Sequence, residues 1–208
     1  MSRGRIVIDL FTTLDGVAQA PGGPEEDASG GFRFGGWQAP LPDSMVGEQV
    51  RAYVDTMDAL LLGRRTFDIF AGYWPHHTTG PEGFIGRRFT DVPKYVASRG
   101  TVSTDWEGTT QLGADVVAEV EALRDRHSEI HVIGSIDFVQ TLLREGLFDE
   151  LKLWVHPVVL GDGKKVFPDG AAPAQLRLVE PPLSGDGGVV QLRYAPAGPV
   201  TTGDMTDA

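Results

Sequence analysis

Two stretches decide how this chain is read: Leu61-Leu62-Gly63-Arg64-Arg65-Thr66 and Val132-Ile133-Gly134-Ser135-Ile136-Asp137. In each, an apolar run of strand type meets a glycine and passes straight into a helix start. Free N–H groups at a helix start attract anions, and a glycine lets a phosphate approach the main chain closely. Either glycine could equally do no more than close a tight strand-to-helix turn.

Working outward, Arg5 to Phe11 reads as a buried first strand. Ala59 to Leu62, Tyr95 to Ser98, Ile130 to Ile133 and Leu151 to Val155 read as further strands. Helical patterns begin at Asp43 or Ser44 and near Thr66, and run over 82–89, 115–127 and 135–145. Leu176 to Val179 and Val189 to Tyr194 form a C-terminal antiparallel hairpin. Strands alternating with helices predict an α/β fold with a mixed, mostly parallel sheet. We expect one domain over 1–200, with 201–208 a frayed tail.

Composition bounds the function. The chain has 208 residues, 41% hydrophobic and 23% charged, which suits a globular domain. Its formal net charge of −11 argues against a partner that is nucleic acid or membrane surface, both of which bind through basic residues. There is no cysteine, so disulfides, thiolate metal sites and a cysteine nucleophile are excluded. The N-terminus has no long apolar stretch, and the strong apolar runs are far shorter than the roughly 20 residues a bilayer span needs. The expected location is cytoplasmic. The G-x-G-x-x-G, P-loop, G-x-S-x-G and H-E-x-x-H patterns are absent. Between positions 64 and 99, however, six cations (Arg64, Arg65, Arg87, Arg88, Lys94, Arg99) face only three carboxylates. That window is either a solvated basic face or a pocket for a multiply charged nucleotide.

Four motifs in order resemble the dihydrofolate reductase-like superfamily, and within it the reductase domain of the riboflavin-biosynthesis deaminase-reductase. Thr12-Thr13-Leu14-Asp15-Gly16-Val17-Ala18 resembles the end of that family's first strand, and Leu62-Gly63-Arg64-Arg65-Thr66-Phe67 its M-G-R-x-T turn. Val132-Ile133-Gly134-Ser135 resembles its glycine-glycine turn, with Ser135 in place of the second glycine. Gly146-Leu147-Phe148-Asp149-Glu150-Leu151 and His156-Pro157-Val158-Val159-Leu160-Gly161-Asp162-Gly163 complete the set. The deaminase half is missing, and a chain without cysteine cannot build its zinc site.

The resemblance implies a three-layer fold around an eight-stranded sheet, NADPH as cofactor and a small heterocyclic substrate. It implies phosphate contacts from Gly63, Arg64, Arg65 and Thr66, and a 2′-phosphate contact from Ser98 and Arg99. Gly134, Ser135, Ile136, Asp137 and Phe138 would cradle the pyrophosphate and nicotinamide ribose, with Val17 and Ala18 near the nicotinamide. No metal is expected, and His76 and His77 read as a loop pair. A homodimer is expected, with the apolar segment around Trp154 and Val155 near its interface. Asp15 and Asp43 are the candidate catalytic carboxylates, because reducing an imine-type bond needs a proton as well as a hydride. Asp15 could instead be a turn residue and Asp43 a helix cap. The reading is an NADPH-dependent reductase of a pteridine- or aminopyrimidine-like ring. The rival is a nucleotide-binding dimer of the same fold without turnover.

Overall fold

The computed structural model describes residues 3–103 and 105–205. Of the expected tail, 206–208 lie outside the described residues. The apolar first strand, β1 (Arg5–Thr13), takes the middle of one sheet. It pairs in parallel with β5 (Glu129–Val132) on one side and β6 (Glu150–His156) on the other. Beyond β5 the parallel strands continue as β2 (Ala59–Gly63), β3 (Lys94–Ala97) and β4 (Thr109–Gln111). Beyond β6 the sheet turns antiparallel, with β9 (Val190–Pro196) and then β7 (Leu176–Leu178), while β8 (Leu183–Ser184) also pairs with β9.

Among the described residues the sheet therefore has nine strands, not eight. The expected simple hairpin is broken because Pro181 and Pro182 intervene. Proline lacks the N–H a ladder needs, so the outgoing arm opposite β9 is split into β7 and β8. The short polar edge strand β4 gave no apolar signal to read.

Alternation along β1 sends Ile6, Ile8 and Leu10 to one face. There they meet Val120 and Leu123 of α4 (Val116–Leu123) and Val139 and Leu142 of α5 (Ile136–Arg144). On the other face Leu60, Leu62, Val96 and Trp154 pack beneath α1 (Ser44–Thr56), α2 (Arg64–Tyr73) and α3 (Gly83–Asp91). The result is a helix–sheet–helix sandwich. Trp154 is fully buried and donates its indole N–H to Asp9 Oδ1 at 2.7 Å, so it offers no surface to a second copy. Among the described residues no helix is long and apolar enough to cross a membrane.

Candidate functional site

β2 and β5 are neighbours, so the two glycine junctions lie side by side at the same end of the sheet. Gly63 N donates to Gly134 O at 2.9 Å and links them directly. A side chain at Gly63 would place its Cβ 2.2 Å from Ser135 Oγ and 2.9 Å from Ser135 N. Gly134 has φ +139°, which favours glycine, and a Cβ there would lie 2.5 Å from Thr66 Oγ1. The first turns of α2 and α5 thus converge with their N–H groups free, where two macrodipoles favour an anion.

Two joined cavities flank this point. One, of about 500 Å³, runs under α1 and α3 and is lined by Ala18, Thr66, Gly134 and Ile136, among others. The other, of about 1270 Å³, is lined by Gly63, Arg64, Ser98, Arg99 and Phe138. Arg65, Ser135 and Asp137 line both. Every cofactor residue expected from sequence therefore borders one cleft, except Val17. Val17 is fully buried and packs with Ala20, Phe32 and Trp37 beneath the Gly-rich loop.

Within the cleft the arginines differ. Arg64 is committed to Asp68, with Nε 2.8 and 2.7 Å from its two oxygens. Arg65 Nη1 meets Asp27 Oδ1 at 2.8 Å, and Lys164 Nζ meets Asp27 Oδ2 at 2.8 Å. Asp27 thereby bridges the start of α2 to the loop that carries Lys164. Burial pushes the Asp27 carboxyl up, but hydrogen bonds from Lys164 and Ser29 outweigh it and hold the group below its ordinary value. Burial raises neighbouring Glu26, against the pull of the Gly22 and Gly23 amides. Arg99 lines the larger cavity and takes no hydrogen bond or ion pair among the described residues.

The basic window resolves into separate uses. Arg87 donates to Thr78 O and Arg88 to Asp55 O. Lys94 is fully buried, donates to Phe89 O and Thr90 O, and is lowered by burial to about 8. Only Arg64, Arg65 and Arg99 of the six reach the cleft.

Neither candidate catalytic carboxylate lines either cavity. Asp15 accepts from the Thr13 hydroxyl (2.5 Å) and from the Leu160 and Gly161 amides (3.2 and 2.8 Å). Burial opposes them, but these bonds hold the Asp15 carboxyl low. Asp43 caps α1, accepting from Met45 N and Val46 N through Oδ1, while Oδ2 accepts from Gly187 N and Val189 N. Both residues tie loops together. We expect Asp43→Ala to cost about 1–2 kcal/mol of stability, the usual worth of a lost cap. Denaturant unfolding reads the loss, and ligand titration of the same variant should show unchanged cofactor affinity.

Sequence reasoning passed over several cleft residues: Asp9, Gln19, Glu26, Asp27 and Tyr53. Asp9 was the readable one, as a lone acid in an otherwise apolar strand. His77 stacks on Tyr73, and among the described residues no cluster could hold a metal.

Comparison with known proteins follows the same outline. The family model described as RibD C-terminal domain matches residues 5–189. The uncharacterized protein YyaP of Bacillus subtilis is 28% identical over 196 residues, covering 93% of this chain and 96% of its own. A putative riboflavin biosynthesis protein from Shewanella sp. PV-4 superposes with a TM-score of 0.67 at 19% identity, over 93% of this chain and 99% of that one. Dihydrofolate reductase from Enterococcus faecalis, complexed with NADP(H), superposes with a TM-score of 0.56 at 16% identity, over 93% and 97%. At these identities the two solved structures speak for the fold.

Proposed function

This chain belongs to the RibD C-terminal domain family, and from that premise we propose that it is an NADPH-dependent reductase of a pteridine- or aminopyrimidine-like ring. The observation that carries the reading is the meeting of the two glycine junctions: without a Cβ at Gly63 or Gly134 they pack directly on each other, and the starts of α2 and α5 open on one cleft. The residues present fit the dinucleotide. Free amides at the starts of α2 and α5 would hold its pyrophosphate. Ser98 and Arg99 border the larger cavity, where an adenosine 2′-phosphate would need a cation. When bound, the cofactor supplies the hydride, and the protein's work is alignment and exclusion of water.

Arg99 also sets the choice of cofactor. A 2′-phosphate carries about −1.5 to −2 charge at neutral pH. A chain of net charge −11 repels it at long range, so preference must come from a local contact. Because Arg99 is exposed, solvent screens that contact, and we expect NADPH to bind about tenfold tighter than NADH rather than more. Calorimetric titration of both cofactors against the native protein and Arg99→Ala tests this. The gap should close in the variant and shrink with added salt. Equal affinities in the native protein would end the NADPH assignment.

A second copy of the chain is the other proposed partner. Since Trp154 is internal, the contact falls to the half-exposed apolar side chains of the antiparallel end, Leu178, Val179 and Leu183. Light scattering at micromolar concentration returning the monomer mass would remove this proposal.

A further inference from the structure

The turn that carries Arg99 is short and largely exposed, yet it is held from several sides. Ser98 is half-buried, and Arg99, Gly100 and Thr101 are exposed. A loose turn of this kind loses conformational entropy when a ligand orders it, and that loss is subtracted from the affinity. Here the turn is fixed beforehand. Within it, Ser98 Oγ donates to Gly100 O at 2.8 Å and accepts from Gly100 N at 3.2 Å. From α2, Arg64 Nη1 donates to Thr101 O. At the far end Val102 is 5% exposed and joins the core that holds Phe67 and Trp106.

A further support comes from the edge strand β4. Gln111 stands opposite Val96 in the β3–β4 register, and its side chain reaches back to the turn. Its Nε2 donates to Gly100 O at 2.9 Å, and its Oε1 accepts from Val102 N at 3.0 Å. Gly100 O thus receives two donors, one for each lone pair. A single amide therefore fixes the main chain on both sides of Thr101, directly after Arg99. Arg99 itself is exposed and takes no hydrogen bond or ion pair among the described residues. The turn alone decides where its side chain starts. Gln111 lines the larger cavity beside Arg99, with each end of its amide engaged by the turn.

We propose that Gln111 is a positioning residue for cofactor choice: it holds the turn 98–102 so that Arg99 faces the larger cavity before a 2′-phosphate arrives. This rests on the NADPH reading and names the residue behind its preference. Arg99 supplies the charge and Gln111 the order. Without the brace, the phosphate has to order the main chain as well as the long arginine side chain. NADH lacks the 2′-phosphate and does not call on Arg99, so the brace serves one cofactor and not the other. A direct contact from Gln111 to the adenosine would instead serve both alike.

Gln111→Met keeps the length and volume of the side chain and removes both hydrogen bonds. Calorimetric titration of NADPH and NADH should show the preference falling from about tenfold to about threefold, with the loss on NADPH. In the Arg99→Ala background the same substitution should leave the ratio where Arg99→Ala alone puts it, because no cation remains to be positioned. A merely structural role would weaken both cofactors in both backgrounds. Amide exchange followed by NMR on the cofactor-free protein reads the brace itself: the Val102 N–H should exchange about tenfold or more faster in Gln111→Met, with the β1 amides unchanged. Gln111→Asn keeps the amide but is one methylene short of the turn. It should give the same losses, and it covers the case in which methionine disturbs the sheet edge. The proposal is overturned if the preference survives both variants, if NADPH and NADH weaken equally, if the ratio shifts as much without Arg99, or if Val102 exchange is unmoved. A native protein that binds both cofactors equally strikes the NADPH reading and this proposal with it. A native preference untouched at Gln111 strikes this proposal alone.

Discussion

Gly63→Ala should reduce NADPH affinity by about a hundredfold, the scale that a misplacement of about 1 Å produces at a positioned site. The added methyl would lie 2.2 Å from Ser135 Oγ, 2.8 Å from Phe138 Cβ and 2.9 Å from Ser135 N. The hydroxyl can rotate away, but the Phe138 Cβ and the Ser135 amide belong to the start of α5 and must shift with it. Overpacking of this kind typically costs about 1–3 kcal/mol of stability. Gly72→Ala is the control, because nothing lies within 4 Å of its added methyl and it stands in the same helix, α2. There alanine should stabilise by about 0.5–1 kcal/mol and leave binding intact. Calorimetric titration together with denaturant unfolding reads both. Retention of native NADPH affinity by Gly63→Ala would detach the cofactor from the junctions.

Lys152→Met should cost about 3–5 kcal/mol, the penalty for stranding the other half of a buried ion pair. Lys152 and Asp9 are register partners on β6 and β1, with side chains 9% and 1% exposed. The lysine Nζ also lies 4.8 Å from the centre of the Tyr53 ring, a contact the methionine would lose in charge but not in volume. Replacing both partners, as Asp9→Leu with Lys152→Met, should recover most of the loss, because two well-packed apolar groups need no counter-charge. A double-mutant cycle by urea unfolding gives the coupling directly. If Lys152→Met falls within about 0.5 kcal/mol of the native protein, as an ordinary surface change does, the pair carries no such weight.

What could be read from the sequence was whatever chemistry is local. A strand, a glycine and a helix start are contiguous in the chain, so the two junctions and the residues around them were visible at once. Ser98 and Arg99 were visible through the same motif order. Partnership over long chain separations was not. Asp9 meets Lys152 and Trp154 only because β6 returns beside β1, and no spacing rule joins them. The six cations between 64 and 99 looked like one patch because charge is legible while its partner is not. Arg87, Arg88 and Lys94 turn out to satisfy backbone carbonyls. Asp43 illustrates a degenerate signal: an aspartate before a helix has the same appearance whether it caps the helix or serves a substrate. The structure engages both its oxygens with main-chain amides. The strand β4 was missed because three half-exposed polar residues at a sheet edge carry no hydrophobic pattern.

The central place of β1 has a consequence for the birth of the protein. Within this chain β1 is made before its two neighbours, β5 and β6, which are the last of the parallel strands. At about 5–20 residues per second of synthesis, Ile6, Ile8 and Leu10 wait several seconds or more before either ladder can close. Until residue 132 has emerged the nascent chain holds an apolar strand with two open edges, and one edge stays open until residue 156; strand-edge exposure of that kind invites association with other chains. The same topology demands long loop closures before it returns any pairing energy, which makes refolding slow for a chain of this size. Capture by chaperones would thus be concentrated on the β1 segment during synthesis, and its β6 flank would become resistant to proteolysis only after its β5 flank.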